Sequence, residues 1–173
     1  FVDELAKEKR DAVFYHSGAE QAAYVMSKMF DAASKSIKIF NGGFTGEISN
    51  NSIYREALRK YLASGGSLQI LTNNKEIANS SLFELIRFYK YLSPSKIEVY
   101  ITNKKIISAT TDAEIHFMVA DEIMYRLEDD VKTFSSESNF NSSDSAQSLV
   151  KIFDSILNMG ATKFDFNLPE YKP

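Results

Sequence analysis

The stretch YREALRKYLASGGSLQILTNN, Tyr54 to Asn74, holds a helix, its stop and a strand in immediate succession. Tyr54, Ala57, Leu58, Tyr61 and Leu62 recur at spacings of three and four and form one apolar stripe, while Arg55, Glu56, Arg59 and Lys60 lie on the wet side. Glu56 and Lys60 make a favourable i,i+4 pair, and Ser52 offers a capping hydroxyl to a helix spanning Asn51 to Ser64. Gly65-Gly66 supplies the residue free to adopt the left-handed conformation that ends helices, and SLQILTN, Ser67 to Asn73, follows as a strand.

The same plan lies on either side. Upstream, Gly18 to Ser34 places Ala22, Val25, Met26, Met29, Phe30 and Ala33 on one helical face, and SIKIFN, Ser36 to Asn41, reads as a strand. Downstream, Asn79 to Ser93 is a capped amphipathic helix stopped by Pro94, and KIEVYIT, Lys96 to Thr102, is the next strand. Three helix–strand repeats argue for right-handed crossovers with helices packed on a sheet. After Thr102 the pattern changes: IHFMVA, IMYRLE and VKTFSSES are strand-like runs with short separations, an antiparallel hairpin or meander. A last helix, Ser143 to Asn158, closes the unit. The predicted fold is α/β: a mixed, mainly parallel sheet with helices on both faces and a C-terminal antiparallel hairpin. One domain is expected over 1–173, with a core of about 13–158 and a tail, 160–173, whose end NLPEYKP frays.

Composition narrows the chemistry. With 173 residues, 44% hydrophobic and 25% charged, the chain can bury a sizeable core. A net charge of -3 lacks the global basic field of a dedicated duplex-DNA binder, though a local basic patch remains compatible with it. The absence of Cys removes disulfides, thiol nucleophiles and cysteine zinc sites, and two histidines distant in sequence argue against a His-rich metal centre, so neither metal nor cofactor is expected. No apolar run approaches the roughly 20 residues that span a bilayer, and FVDELAKEKRDA is too charged for a secretory segment; the default location is cytoplasmic. A start at Phe1 suggests a processed form or a piece of a longer chain.

ASKSIKIFN (Ala33 to Asn41), YREALRKYLASGGSLQILTNN and IHFMVAD (Ile115 to Asp121) resemble, in order and spacing, the phospholipase D superfamily, over roughly residues 18 to 158. The resemblance implies a strand bearing His-x-Lys, an Asp further along, a Gly-Ser-x-Asn on the next strand, and two such halves meeting across a two-fold to form one site. It also implies chemistry in which one histidine attacks phosphorus, the other protonates the leaving group, and lysines and asparagines neutralise the phosphate oxygens. His116 matches the histidine, but Met118 stands at the lysine position, and a thioether carries no charge. Asp121 comes two residues earlier than the pattern places its aspartate, and MYRLEDD follows the turn in place of Gly-Ser-x-Asn. The later SESNF, Ser136 to Phe140, falls one strand too late and reads as capping and turn residues.

Turn length decides what surrounds His116. A two-residue loop at Asp121-Glu122 sets it opposite Leu127 and turns the charged residues away; a three-residue turn sets Glu128 beside His116 and Arg126 beside Met118. In the second register Glu128 orients the imidazole and Arg126 supplies the missing charge, making His116 and Glu128 the catalytic candidates and Arg126 a phosphate-binding one. The bland alternative for His116 is a partly buried histidine satisfied by a backbone carbonyl or by Glu128. NGGFTGEIS, Asn41 to Ser49, is the glycine-rich loop after a strand, and Asn41, Gly42 and Gly43 are its phosphate-binding candidates, with plain turn geometry as the alternative. His16 is expected in the loop before the first helix, with Ser17 as its cap. RFYKYLSPSK mixes bases and aromatics, but Phe88, Tyr89 and Leu92 fit helix core and flank.

The expected function is a catalytically degenerate phospholipase D-like domain that binds phosphate or nucleic acid, or forms a homodimer, within a larger protein or assembly. The alternative is an active phosphodiesterase or nuclease with a modified histidine site built by two chains. A third reading is an interaction module whose old site is filled with side chains.

Overall fold

The structure, a computed structural model, describes residues 1–41 and 46–167. Helices α1 (Val2–Glu8), α2 (Ala19–Ala32), α3 (Glu47–Asn50), α4 (Ser52–Ala63), α5 (Ser81–Leu92) and α6 (Ser143–Asn158) pack against strands β1 (Phe14–His16), β2 (Ser36–Asn41), β3 (Ser67–Thr72), β4 (Ile97–Ile101), β5 (His116–Ala120), β6 (Met124–Asp130), β7 (Ser135–Asn139) and β8 (Thr162–Lys163). The strands form one sheet in the order β1-β7-β6-β5-β2-β3-β4-β8. Ile37, Ile39, Leu68, Ile70, Val99 and Met118 face a core filled by α2, α4 and α5; Phe40, Leu71, Phe117, Val119 and Tyr125 face α6. The α/β class, the mixed sheet and helices on both faces are therefore as predicted.

The balance of pairings differs from a mainly parallel sheet. Among the described residues β2–β3 and β3–β4 are parallel, and β1–β7, β7–β6, β6–β5, β5–β2 and β4–β8 are antiparallel. The α4 and α5 crossovers join neighbouring strands running in the same direction, whereas β5, β6 and β7 follow one another by short turns and reverse, and each edge strand pairs antiparallel with its neighbour. The packed body is also wider than 13–158. Leu5 and Ala6 of α1 are buried, and Phe166, beyond β8, stacks on Phe83 with ring centroids 5.2 Å apart. Of the tail NLPEYKP only Asn167 lies within the described residues.

Local signals placed the long elements well. Gly65 has φ 84°, as a left-handed helix stop requires, and a Cβ on Gly66 would overlap the Tyr61 ring. The cap of α4 is Asn51, whose side chain accepts from the Ile53 and Tyr54 amides, in place of Ser52. His16 is the last residue of β1 and not a loop residue, and the N-cap of α2 is Gly18, which supplies no side-chain cap.

Candidate functional site

The β5–β6 hairpin sets the site. Ala120 pairs with Met124, so Asp121, Glu122 and Ile123 form a three-residue connection in which Asp121 and Glu122 both have positive φ (53° and 59°). Neither is glycine, and tertiary bonds hold the turn. The Asp121 carboxylate accepts from the backbone amides of Ser34, Lys35 and Ser36 at 2.8–3.0 Å, and its own amide donates to Ser36. Four interactions at the α2–β2 junction thus offset the left-handed conformation. Asp121 is accordingly a structural turn residue in this fold.

That turn gives the second of the two registers: His116 pairs with Glu128 and Met118 with Arg126. Arg126 and Glu128, two apart on β6, share one face, and each is only 3% exposed. An Arg126 Nη2 donates to Glu128 Oε2 at 2.6 Å, and His116 Nδ1 lies 3.4 Å from Glu128 Oε1. On the other side of the ring, Nε2 lies 3.5 Å from Glu114 Oε1. Glu114 is in turn held by Asn73 Nδ2 at 2.7 Å and Lys105 Nζ at 3.2 Å. Burial pushes the Glu128 carboxyl up, but the His116 hydrogen bond and the Arg126 charge outweigh it and hold the group below its ordinary pKa. Glu114 is also held low, the bonds from Asn73 and Lys105 and the nearby His116 overcoming its burial.

These groups open onto a cavity of about 460 Å³. Met26, Ile39, Met118 and Tyr54 form an apolar wall, and the charged lining consists of Glu47, Glu114 and Glu128 against Lys105 and Arg126. Burial raises the pKa of the Tyr54 hydroxyl, keeping it neutral. Arg126 lines the cavity, and its Nε is buried without a hydrogen-bond partner among the described residues.

His116, Glu128 and Arg126 thus come together at one cavity. Asn41 ends β2, paired with Thr72; Gly42 and Gly43 lie outside the described residues. The cross-strand row continues beyond Glu128 to Ser136 and His16. His16 Nε2 lies 3.1 Å from Ser138 Oγ, its buried Nδ1 has no hydrogen-bond partner among the described residues, and burial, aided by the Arg126 charge, drops its pKa to about 4. Both histidines therefore flank the same Arg–Glu pair. SESNF supplies Ser136 and Ser138 to this face, both buried, whereas Asn139 donates to Asp11. Glu114 had a signal in the sequence, lying two residues before His116 on the same face of an extended chain; His16 had none, because its place depends on the β1–β7 pairing. Among the described residues no group of three His, Asp or Glu is arranged to hold a metal, and no helix is long and apolar enough to cross a membrane.

No family model and no curated protein matches the chain. Solved structures do. TrmBL2, an archaeal chromatin protein described with a novel mode of DNA binding, is similar with TM-score 0.66 at 15% identity over 91% of this chain; the chain spans 55% of that protein's length. NucT from Helicobacter pylori is similar with TM-score 0.65 at 11% identity, covering 90% of this chain and 100% of its own. Nuc from Salmonella typhimurium, a phospholipase D family member, gives TM-score 0.61 at 14% identity, with 90% and 99% covered.

Proposed function

The chain has a phospholipase D-like fold, and on that premise we propose that it binds phosphodiesters, nucleic acid among them, without cleaving them, as one part of a larger protein or assembly. The observation that carries this reading is the state of His116. Attack on phosphorus needs a ring nitrogen with its lone pair aimed at the substrate. Here Nδ1 faces Glu128 and Nε2 faces Glu114. Met118, at the position the resemblance gives to lysine, is 1% exposed and brings no charge. Loss of such a cation removes transition-state stabilisation on the order of several kcal/mol.

Binding has better support than turnover. Arg126 stands opposite Met118 and lines the cavity, and its guanidinium charge suits an anionic oxygen. Glu128 already takes up one side of the guanidinium, so the affinity for a single phosphodiester is modest. The DNA binding of the archaeal chromatin protein is in keeping with a nucleic-acid ligand. A cytoplasmic setting and pairing with a second copy belong to the same proposal.

One feature favours the second reading, an active phosphodiesterase built by two chains: the Glu128 carboxylate beside Nδ1 is where a nucleophilic imidazole needs its orienting group. The two readings separate in one experiment. A dinucleotide, short enough for the cavity, should bind with salt dependence and lose affinity in Arg126→Ala, while DNA, RNA and a bis-aryl phosphodiester remain intact. Hydrolysis that disappears in His116→Ala would instead establish the enzyme.

A further inference from the structure

The outer side of α4 and α5 carries a surface that the cavity does not use. α5 buries Leu82, Phe83 and Ile86, and Phe88, Tyr91 and Leu92 fall on the opposite side at i, i+3 and i+4. Phe88 and Leu92, expected with Tyr89 as helix core and flank, are each 55% exposed, and Tyr91 is 46% exposed. The half-buried Tyr89 ring meets Phe88 edge-on with centroids 5.2 Å apart, and Tyr89 lies beside Arg59 of α4. The exposed aromatic side of α5 thus adjoins the basic side of α4.

The charge of this layer is opposite to that of the chain. α4 and α5 hold five Lys or Arg against two Glu, whereas the whole chain carries -3. Arg59 is fixed by a two-pronged contact with Glu56 at 2.8 Å and borders the aromatic surface on one side; Arg87, one residue before Phe88, borders it on the other.

We propose that this face binds single-stranded nucleic acid, with bases stacked on Phe88 and Tyr91 and phosphates met by Arg59, Lys60 and Arg87. Exposed rings flanked by cations are the pairing that recognises unstacked bases on an anionic backbone. A duplex hides its base faces and cannot use the rings. A lipid surface is a poorer fit, because α5 is anchored through Leu82, Phe83 and Ile86 and cannot sink its axis into a headgroup layer. The helix layer separates this surface from the cavity, so the proposal stands apart from the reading of His116 and Arg126.

The test uses the full chain and two probes, a labelled oligothymidylate of twenty nucleotides and a dinucleotide. Phe88→Ala/Tyr91→Ala should weaken oligonucleotide binding by about tenfold or more per stacked base, while thermal stability and dinucleotide binding stay unchanged. Arg59→Gln/Arg87→Gln should flatten the salt dependence of oligonucleotide binding. Unchanged oligonucleotide affinity in Phe88→Ala/Tyr91→Ala would overturn the proposal, whatever Arg126→Ala does to the dinucleotide. Binding to phosphatidylglycerol vesicles with none to the oligonucleotide would overturn it equally.

Discussion

Removing the Arg126 side chain isolates the energetics of the site. Arg126 and Glu128 are each 3% exposed and joined at 2.6 Å, so Arg126→Ala leaves a buried carboxylate without its guanidinium partner. Breaking a buried pair from one side costs about 3–5 kcal/mol, because the surviving charge keeps its desolvation penalty and loses its partner. In a domain of this size each kcal/mol moves Tm by roughly 2–4 °C, which gives a fall of about 6–20 °C. Replacing both residues, Arg126→Met with Glu128→Leu, removes both charges at once and should recover most of that loss. Urea unfolding followed by circular dichroism reads the effect as a shift of midpoint at constant slope. A loss of less than about 1 kcal/mol, the ordinary worth of an exposed pair, would refute the reasoning: the pair would then behave as a solvated one and the cavity as open water.

Other consequences follow from the same geometry. Asp121→Ala strips the acceptor from the Ser34, Lys35 and Ser36 amides and should cost about 1–3 kcal/mol by chemical denaturation; Asp121→Asn, which keeps only part of the acceptor set, should fall between. The pH dependence reads His16. Its folded pKa of about 4 lies below the ordinary 6.5, so the unfolded chain takes up a proton that the folded chain refuses. The stability from this group is complete above pH 6.5 and drains away as pH falls toward 4. The urea midpoint of the wild type should therefore decline between pH 7 and 4.5 more steeply than that of His16→Asn; parallel profiles would contradict the burial of a neutral imidazole.

What could be read from the chain depended on how local the signal was. The three helix–strand repeats were legible because each helix has a 3.6-residue stripe of its own, and α4 and α5 have a side-chain cap and a stop as well. β1 and β8, three and two residues long, were not, because strands that short exist only through the partner they pair with. The buried side of α5 was not legible: Phe88 and Leu92 fit helical spacing as well as Leu82, Phe83 and Ile86 do, and only packing on the sheet chooses between them. His116, Arg126 and Glu128 were readable up to one unknown, the length of the turn. That length is decided by the grip of Asp121 on residues 34–36, more than eighty positions away in the chain, which no local pattern encodes. Glu114 and His16 enter the site through pairings of the same long-range kind.

The most direct test of binding without cleavage is intact-mass analysis after incubation with bis(4-nitrophenyl) phosphate, alongside release of nitrophenolate, on the wild type and on Met118→Lys. No phosphorus-bearing adduct on His116 and no release above buffer are expected from either protein, since the substitution restores a cation but leaves Glu114 facing Nε2. Met118→Lys should also lose stability, because it places an ammonium at a 1% exposed position opposite Arg126. A covalent adduct on wild-type His116, with turnover abolished in His116→Ala, would contradict the proposal and make the site an enzyme's.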